Sequence, residues 1–194
     1  MQIDVSFQGP FRFIGGPEPL VFNCAAALMS GLYLWVGPGE DDGGWIIYVG
    51  ETGKPYRLRF LDHLQRQLSG SYSAWSIPEC RRGQVRRVWS GYGWRGDGWR
   101  SAIEHLEHLE RRAPVLREYL EYLEIWLAPL PDIEQLNKRA EAALLEHLRK
   151  QGGNVKDMVT GNRSHGFSAN DRPFTLLMSC PRRLHGFPVE PLTA

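Results

Sequence analysis

The stretch Gly31-Leu32-Tyr33-Leu34-Trp35-Val36-Gly37-Pro38-Gly39-Glu40-Asp41-Asp42-Gly43-Gly44-Trp45-Ile46-Ile47-Tyr48-Val49-Gly50 decides how this chain folds. Leu32 to Val36 is an unbroken apolar run, and Trp45 to Val49 is a second. Runs this short, rich in β-branched and aromatic residues, read as buried strands. Gly37-Pro38-Gly39 and Asp41-Asp42-Gly43-Gly44 between them are turn formers. The whole reads as an antiparallel hairpin that brings Gly31-Leu32-Tyr33 close to Tyr48-Val49-Gly50.

Outward from the hairpin, Pro55 suits a first helical turn, and Leu58, Leu61, Leu64 and Leu68 follow at helical spacing. Upstream, Ile3, Val5 and Phe7 alternate with Asp4 and Ser6 as in a half-buried strand, and Leu20 to Ser30 reads as a short helix or an irregular packing segment. Downstream, Ser101 with Glu104 forms a capping-box pair opening a helix with Ile103, Leu106 and Leu109 on one side. Pro114 interrupts it, and a second piece runs to about Glu121. Tyr122 to Leu127 is strand-like. Asp132 is placed to cap a helix carrying Ile133, Leu136, Ala140, Leu144 and Leu148, which ends at Gly152-Gly153. Phe174 to Met178 is a short apolar piece near the end.

A length of 194 residues suits one domain with a real core, or one domain carrying a large insertion. The formal net charge is +1, so a basic patch for nucleic acid has to be local rather than global. Cys24, Cys80 and Cys180 are far apart with no CxxC pair, which argues against a zinc site and a disulfide framework. Met1 to Val5 lacks the basic-then-apolar order of a signal peptide, and no run approaches membrane-spanning length. A cytoplasmic protein with no membrane partner is expected.

Five side chains carry chemistry in a suggestive order: Tyr33, Tyr48, Arg59, His63 and Glu141. Arg59 and His63 are four apart and share one helix face. An arginine fork matches phosphate oxygens at two points. One carboxylate can hold a hydrated Mg²⁺, which takes few protein ligands. A tyrosine titrates near pH 10, so it needs a cation or a base such as His63 to lose its proton. Each residue also has a plain reading. Strand tyrosines are often core-edge residues, Arg59 and His63 would suit a solvated face, and Glu141 is one of many glutamates.

In their order these residues resemble the GIY-YIG nuclease superfamily. Gly31-Leu32-Tyr33 stands for GIY and Tyr48-Val49-Gly50 for YIG. Arg59-Phe60-Leu61-Asp62-His63 is similar to the family's Arg-xxx-His helix, and Glu141 precedes Leu144-Leu145 as the family's metal glutamate precedes its aliphatic pair. For the closing asparagine, Asn154 has the more usual distance from Glu141, while Asn162 has the more family-like context and is favoured. The resemblance implies an α+β sandwich, with a small three-stranded antiparallel sheet flanked by helices in a single nuclease domain. Residues 1–30 would be an N-terminal extension, 69–121 an Arg/Trp/Gly-rich and helical insertion, and 166–194 a C-terminal tail. It implies a Mg²⁺-dependent DNA endonuclease, with Mn²⁺ as a substitute, leaving a 5′-phosphate. Tyr33 and Tyr48 would serve the water, His63 would take a proton, Arg59 would bind phosphate, Glu141 the metal, and Lys54 a further phosphate. The layout is similar to the restriction branch, which implies sequence-specific cutting of double-stranded DNA by a homodimer on a palindromic site. A structure-directed nickase of repair or mobile-element transfer, and a catalytically weak nucleic-acid-binding module, are the alternatives.

The insertion interleaves arginines with aromatics and glycines, with Arg81, Arg82, Arg86, Arg87, Trp94 and Arg95 as the expected DNA contacts. Its plain reading is a loop in which Arg stacks on Trp for structural reasons. Two other signals are set aside. Gly50-Glu51-Thr52-Gly53-Lys54 lacks the full phosphate-loop pattern, having Tyr48 and Pro55 at its ends. His105 and His108 with Glu104 and Glu107 read as a solvated face rather than a metal cluster.

Overall fold

The computed structural model describes residues 1–91, 98–133, 135–159 and 173–194. The chain opens with strands β1 (Gln2–Ser6) and β2 (Gln8–Arg12), then two 3-10 turns, Val21–Asn23 and Ala25–Leu28. The hairpin follows as β3 (Gly31–Pro38) and β4 (Gly44–Thr52), and then helix α1 (Tyr56–Leu68). Residues 69–121 hold β5 (Ala74–Trp75), α2 (Ile77–Arg81), β6 (Arg87–Trp89), α3 (Gly98–Glu107) and most of α4 (Leu109–Tyr122). After them come β7 (Glu124–Pro129), α5 (Leu136–Gln151), α6 (Gly153–Val159), β8 (Thr175–Ser179), β9 (Leu184–His185) and β10 (Leu192–Thr193).

The protein is mixed α+β. The hairpin and the strand that follows Leu123 lie side by side as β7-β3-β4, antiparallel throughout. The sheet is larger than the expected three strands. β2 adds antiparallel to β7 and β9 adds parallel to β4, giving the order β2-β7-β3-β4-β9. A second sheet runs β1-β8-β10, with β1 parallel to β8 in the register Gln2↔Thr175 to Ser6↔Ser179. Residues 1–30 and 173–194 are therefore woven into both sheets. Two-residue strands such as β9 and β10 are too short to leave a periodic signal in the sequence.

The central strand β3 is buried on both faces. Leu32, Leu34 and Val36 pack on one side with Leu144, Leu145 and Leu148 of α5. Tyr33 and Trp35 pack on the other side with Tyr56 and Phe60 of α1. The register runs Tyr33↔Gly50 and Trp35↔Tyr48, then shifts so that Val36 faces Ile46. That bulge leaves Ile47 as an extra residue, and the consecutive Ile47 and Tyr48 both join the Tyr33 side.

Several local expectations are corrected. The leucines signal α1, but Leu58, Leu61 and Leu68 point outward, and the buried row is Tyr56, Phe60, His63 and Gln67. α3 begins at Gly98, before Ser101, so Ser101 is not its cap. Ile103, Leu106 and Leu109 are exposed, whereas His105 is buried against Trp89. The helical break falls at His108, and Pro114 sits inside α4. Pro114 is exposed there and lacks only the hydrogen bond that its N–H would give to Glu110. Asp132 caps nothing: α5 starts after Gln135, whose left-handed backbone (φ 59°) makes the turn instead. Gly152 (φ +72°) ends α5 as expected, but the chain re-enters a helix at once as α6. Among the described residues, no helix is long and apolar enough to cross a membrane, and the three cysteines are free.

Candidate active site

The site begins with two glycines. Gly31 has φ +146°, and a Cβ there would meet the Tyr56 hydroxyl and the Leu130 backbone nitrogen. The close approach is used: Tyr56 donates to the carbonyls of Leu32 and Ala128, both at 2.8 Å, and pins α1 to the sheet. Gly50 stands opposite Tyr33, and the Tyr33 ring lies across it in the space a side chain would need. The ring is thereby held flat on β4 with its hydroxyl aimed at α1.

That hydroxyl is fully buried and lies between two helix side chains one turn apart. Arg59 Nε donates to Tyr33 Oη at 3.1 Å, and His63 Nε2 is 2.6 Å from the same oxygen. A guanidinium can only donate. The direction of the Tyr33–His63 bond depends on the imidazole tautomer: with the ring proton on Nδ1, which is buried without a protein partner among the described residues, Tyr33 donates to Nε2. Burial, then the charges of Arg59 and Arg66, hold His63 well below the usual histidine range, so it is a neutral acceptor near pH 7. Burial first, and then Tyr48, push Tyr33 well above the usual phenol range, against the pull of Arg59. Tyr33 thus keeps its proton at rest.

Tyr48 completes the cluster. Its ring stacks on Tyr33 at 6.0 Å between centroids and meets His63 at 5.8 Å. Burial raises its pKa, while Arg59 opposes the shift. Burial also works against the Arg59 charge, but the oxygens of Tyr33, Tyr48 and Tyr72 outweigh it, so the guanidinium stays charged. Asp62 lies 3.3 Å from Arg59 on the outer side.

Glu141 comes from the first half of α5 and is 7% exposed. Burial, and then the carboxylate of Glu51, push its pKa up to about 7, with Arg59 and the backbone at Glu51 pulling the other way. Glu51 follows the second glycine word directly, and sequence reasoning missed it. Its register partner is Leu32, whose side chain belongs to the α5 face, so strand alternation gave the signal. Trp35 and Tyr72 were also missed. Both pack their rings on His63, at 4.9 and 5.5 Å.

Tyr33, Tyr48, Arg59 and His63 are thus brought together, and Glu141 lies within electrostatic reach of Arg59. Lys54 sits exposed in the turn before α1, where its backbone N–H bonds Thr52 Oγ1. Asn154 lies elsewhere, exposed on α6 beside Gly83 and Trp45, at the opposite end of β4 from Gly50. Asn162, Trp94 and Arg95 lie outside the described residues. Arg81, Arg82, Arg86 and Arg87 are exposed. Several of them have protein partners: Arg81 over Tyr122 and Arg87 over Trp75, each at 5.0 Å, and Arg82 with Glu79 at 2.6 Å. Comparisons with family models, with curated proteins and with solved structures found no match for this chain.

Proposed function

We propose that the protein is a divalent-metal-dependent DNA endonuclease of GIY-YIG type, cutting double-stranded DNA in a sequence-specific, restriction-like manner. The observation that carries this reading is the Tyr33 hydroxyl held between an arginine and a neutral histidine, with Tyr48 stacked beside it. The donor set fits a hard cation. Glu141 and Glu51 offer carboxylates with too little positive charge nearby, and among the described residues no cluster of three metal-ligating side chains exists. Two carboxylates suit an ion that keeps most of its waters, such as Mg²⁺ with Mn²⁺ as substitute. When bound, such an ion neutralises charge on the phosphate and the leaving oxygen.

The side chains would divide the remaining work. Arg59, with a third of its side chain still exposed, meets the scissile phosphate. Tyr48, the less buried of the two tyrosines, would hold the attacking water, with Tyr33 hydrogen-bonded behind it. As the water oxygen bonds to phosphorus, its proton would pass to Tyr48 Oη, the Tyr48 proton to Tyr33 Oη and the Tyr33 proton to His63 Nε2. This relay suits a phenol with a high pKa, because no free phenolate has to build up in the buried site. The bond to the 3′ oxygen breaks and a 5′-phosphate remains.

Plasmid DNA incubated with purified protein and Mg²⁺, beside Glu141→Ala and a chelated control, tests the reading. Discrete fragments from wild type alone are expected. Nicked circles would move the substrate toward DNA structure, as for a repair or mobile-element nickase. Equal cutting by Glu141→Ala would remove the metal role, and no cutting by wild type on several DNAs would leave a nucleic-acid-binding module.

A further inference from the structure

Beside the Tyr33–His63 pair, β3 and β4, the end of α1, Tyr119 of α4 and the antiparallel pair β5–β6 line an open cavity of about 210 Å³. Its wall includes the rings of Trp35, Tyr48, Tyr72 and Trp75, together with Gln67 and Arg87. The volume is below that of drug-sized ligand sites, so it suits one planar ring system rather than a whole nucleotide. Ser73 and Ser90 add polar atoms to this wall, so it suits an occupant with both flat faces and a polar edge. A nucleobase has flat faces for the aromatic wall and an edge carrying both acceptors and donors.

Two further features place that base. Tyr48 belongs both to the cavity wall and to the catalytic cluster, so the occupant sits next to the reacting phosphate. The exposed Arg87 guanidinium, stacked on Trp75, supplies positive charge on the same wall for a neighbouring phosphate. We infer that this cavity receives one unpaired nucleobase, extruded from the helix stack at or beside the cleavage position. The inference rests on the nuclease reading for its substrate. It assigns Trp35, Tyr72 and Trp75 to stacking on the base and gives the β5–β6 pair the role of cavity wall. Enzymes that extrude a base hold it in this manner, by stacking plus hydrogen bonds to its edge.

The test uses the full chain in EDTA, so that no cleavage is needed. Deoxynucleoside 5′-monophosphates, deoxyribose 5-phosphate and inorganic phosphate are titrated by calorimetry. At least one nucleotide should bind tenfold or more tighter than deoxyribose 5-phosphate. Ser90 lies on the cavity wall and is exposed, so Ser90→Phe fills the cavity without touching the core, and it should abolish that advantage. Trp75→Ala removes a half-buried ring from the wall and should weaken the nucleotide tenfold or more while sparing deoxyribose 5-phosphate. Should one of the two variants lose the wild-type circular dichroism spectrum, the other carries the result. Equal binding of nucleotides and deoxyribose 5-phosphate, no binding at all, or an unchanged preference in Ser90→Phe would overturn the inference. A Ser90-sensitive preference in a protein that cuts no plasmid would keep the base site and remove the nuclease reading. Plasmid cutting without any base preference would do the reverse.

Discussion

Glu141 is a carboxylate whose placement costs stability. Its pKa is pushed up to about 7 by burial and by Glu51, whereas in the unfolded chain it titrates as an ordinary glutamate near 4.5. The folded state therefore holds the proton more tightly. The penalty is absent well below pH 4.5, grows between pH 4.5 and about 7, and is complete above that. The Glu141→Gln variant removes the charge and keeps the shape. In EDTA at pH 8 it is expected to be more stable than wild type by about 2 kcal/mol, after allowance for residual solvent. At pH 4.5 the gain should nearly vanish. Urea unfolding at both values measures this, and equal stability at pH 8 would show that Glu141 carries no strained charge. His63 acts in the other direction. Its depressed pKa means that acid must charge a buried ring, so stability falls as pH drops below the unfolded value of about 6.5. The residue types of the site were legible in the chain because they fall at fixed places on two strands and two helices. Glu51, Trp35 and Tyr72 were not, because only sheet register and the return of residues 69–75 across α1 bring them to the site.

The hairpin β3–β4 is the element that the sequence specified most fully, since apolar runs, turn residues and paired glycine words all agree. α1 was specified as a helix but not in its facing. Four leucines at helical spacing mask a buried row whose polar members, His63 and Gln67, serve the site and the cavity. The β5–β6 pair was legible only as composition, because strands of two and three residues have no period to detect. Its arginines divide by environment. Arg86 is largely exposed and only 3.9 Å from Glu79 at its nearest, while Arg87 is exposed yet anchored on Trp75. If both meet DNA phosphates, the double replacement Arg86→Ala with Arg87→Ala lowers the magnitude of the salt slope of binding by about 2, close to 0.9 per lost contact. Filter binding or anisotropy across a salt series gives the slope. Wild-type slope in the double variant would return these arginines to a purely structural role, the stacking already visible between Arg87 and Trp75.

At the scale of the molecule, the ends of the chain are held by one acid. Glu124 opens β7 and is 8% exposed. Arg12 of β2 reaches it at 3.4 Å, Arg182 ahead of β9 also pairs with it, and Trp126 Nε1 donates to it at 3.4 Å. Segments that read as appendages in the sequence are thus clamped to the sheet that carries Tyr33 and Tyr48. The pairing joins residues more than 50 apart in the chain, which no local pattern can announce. Removing one member of a mostly buried ion pair leaves the other charges uncompensated, at about 3–5 kcal/mol. Both arginines keep other acceptors, Glu18 for Arg12 and the Asp42 carbonyl for Arg182. Glu124→Ala is therefore expected near the lower bound, about 3 kcal/mol less stable. It should show a lower urea midpoint at an unchanged m-value, since the same surface is exposed on unfolding. A loss under about 1 kcal/mol, typical of solvated surface pairs, would mean that the clamp is decorative and that the apolar packing of β1 and β8 alone holds the ends. A fall in m-value would instead mean that the ends detach separately, with the sheet that carries Tyr33 and Tyr48 still folded.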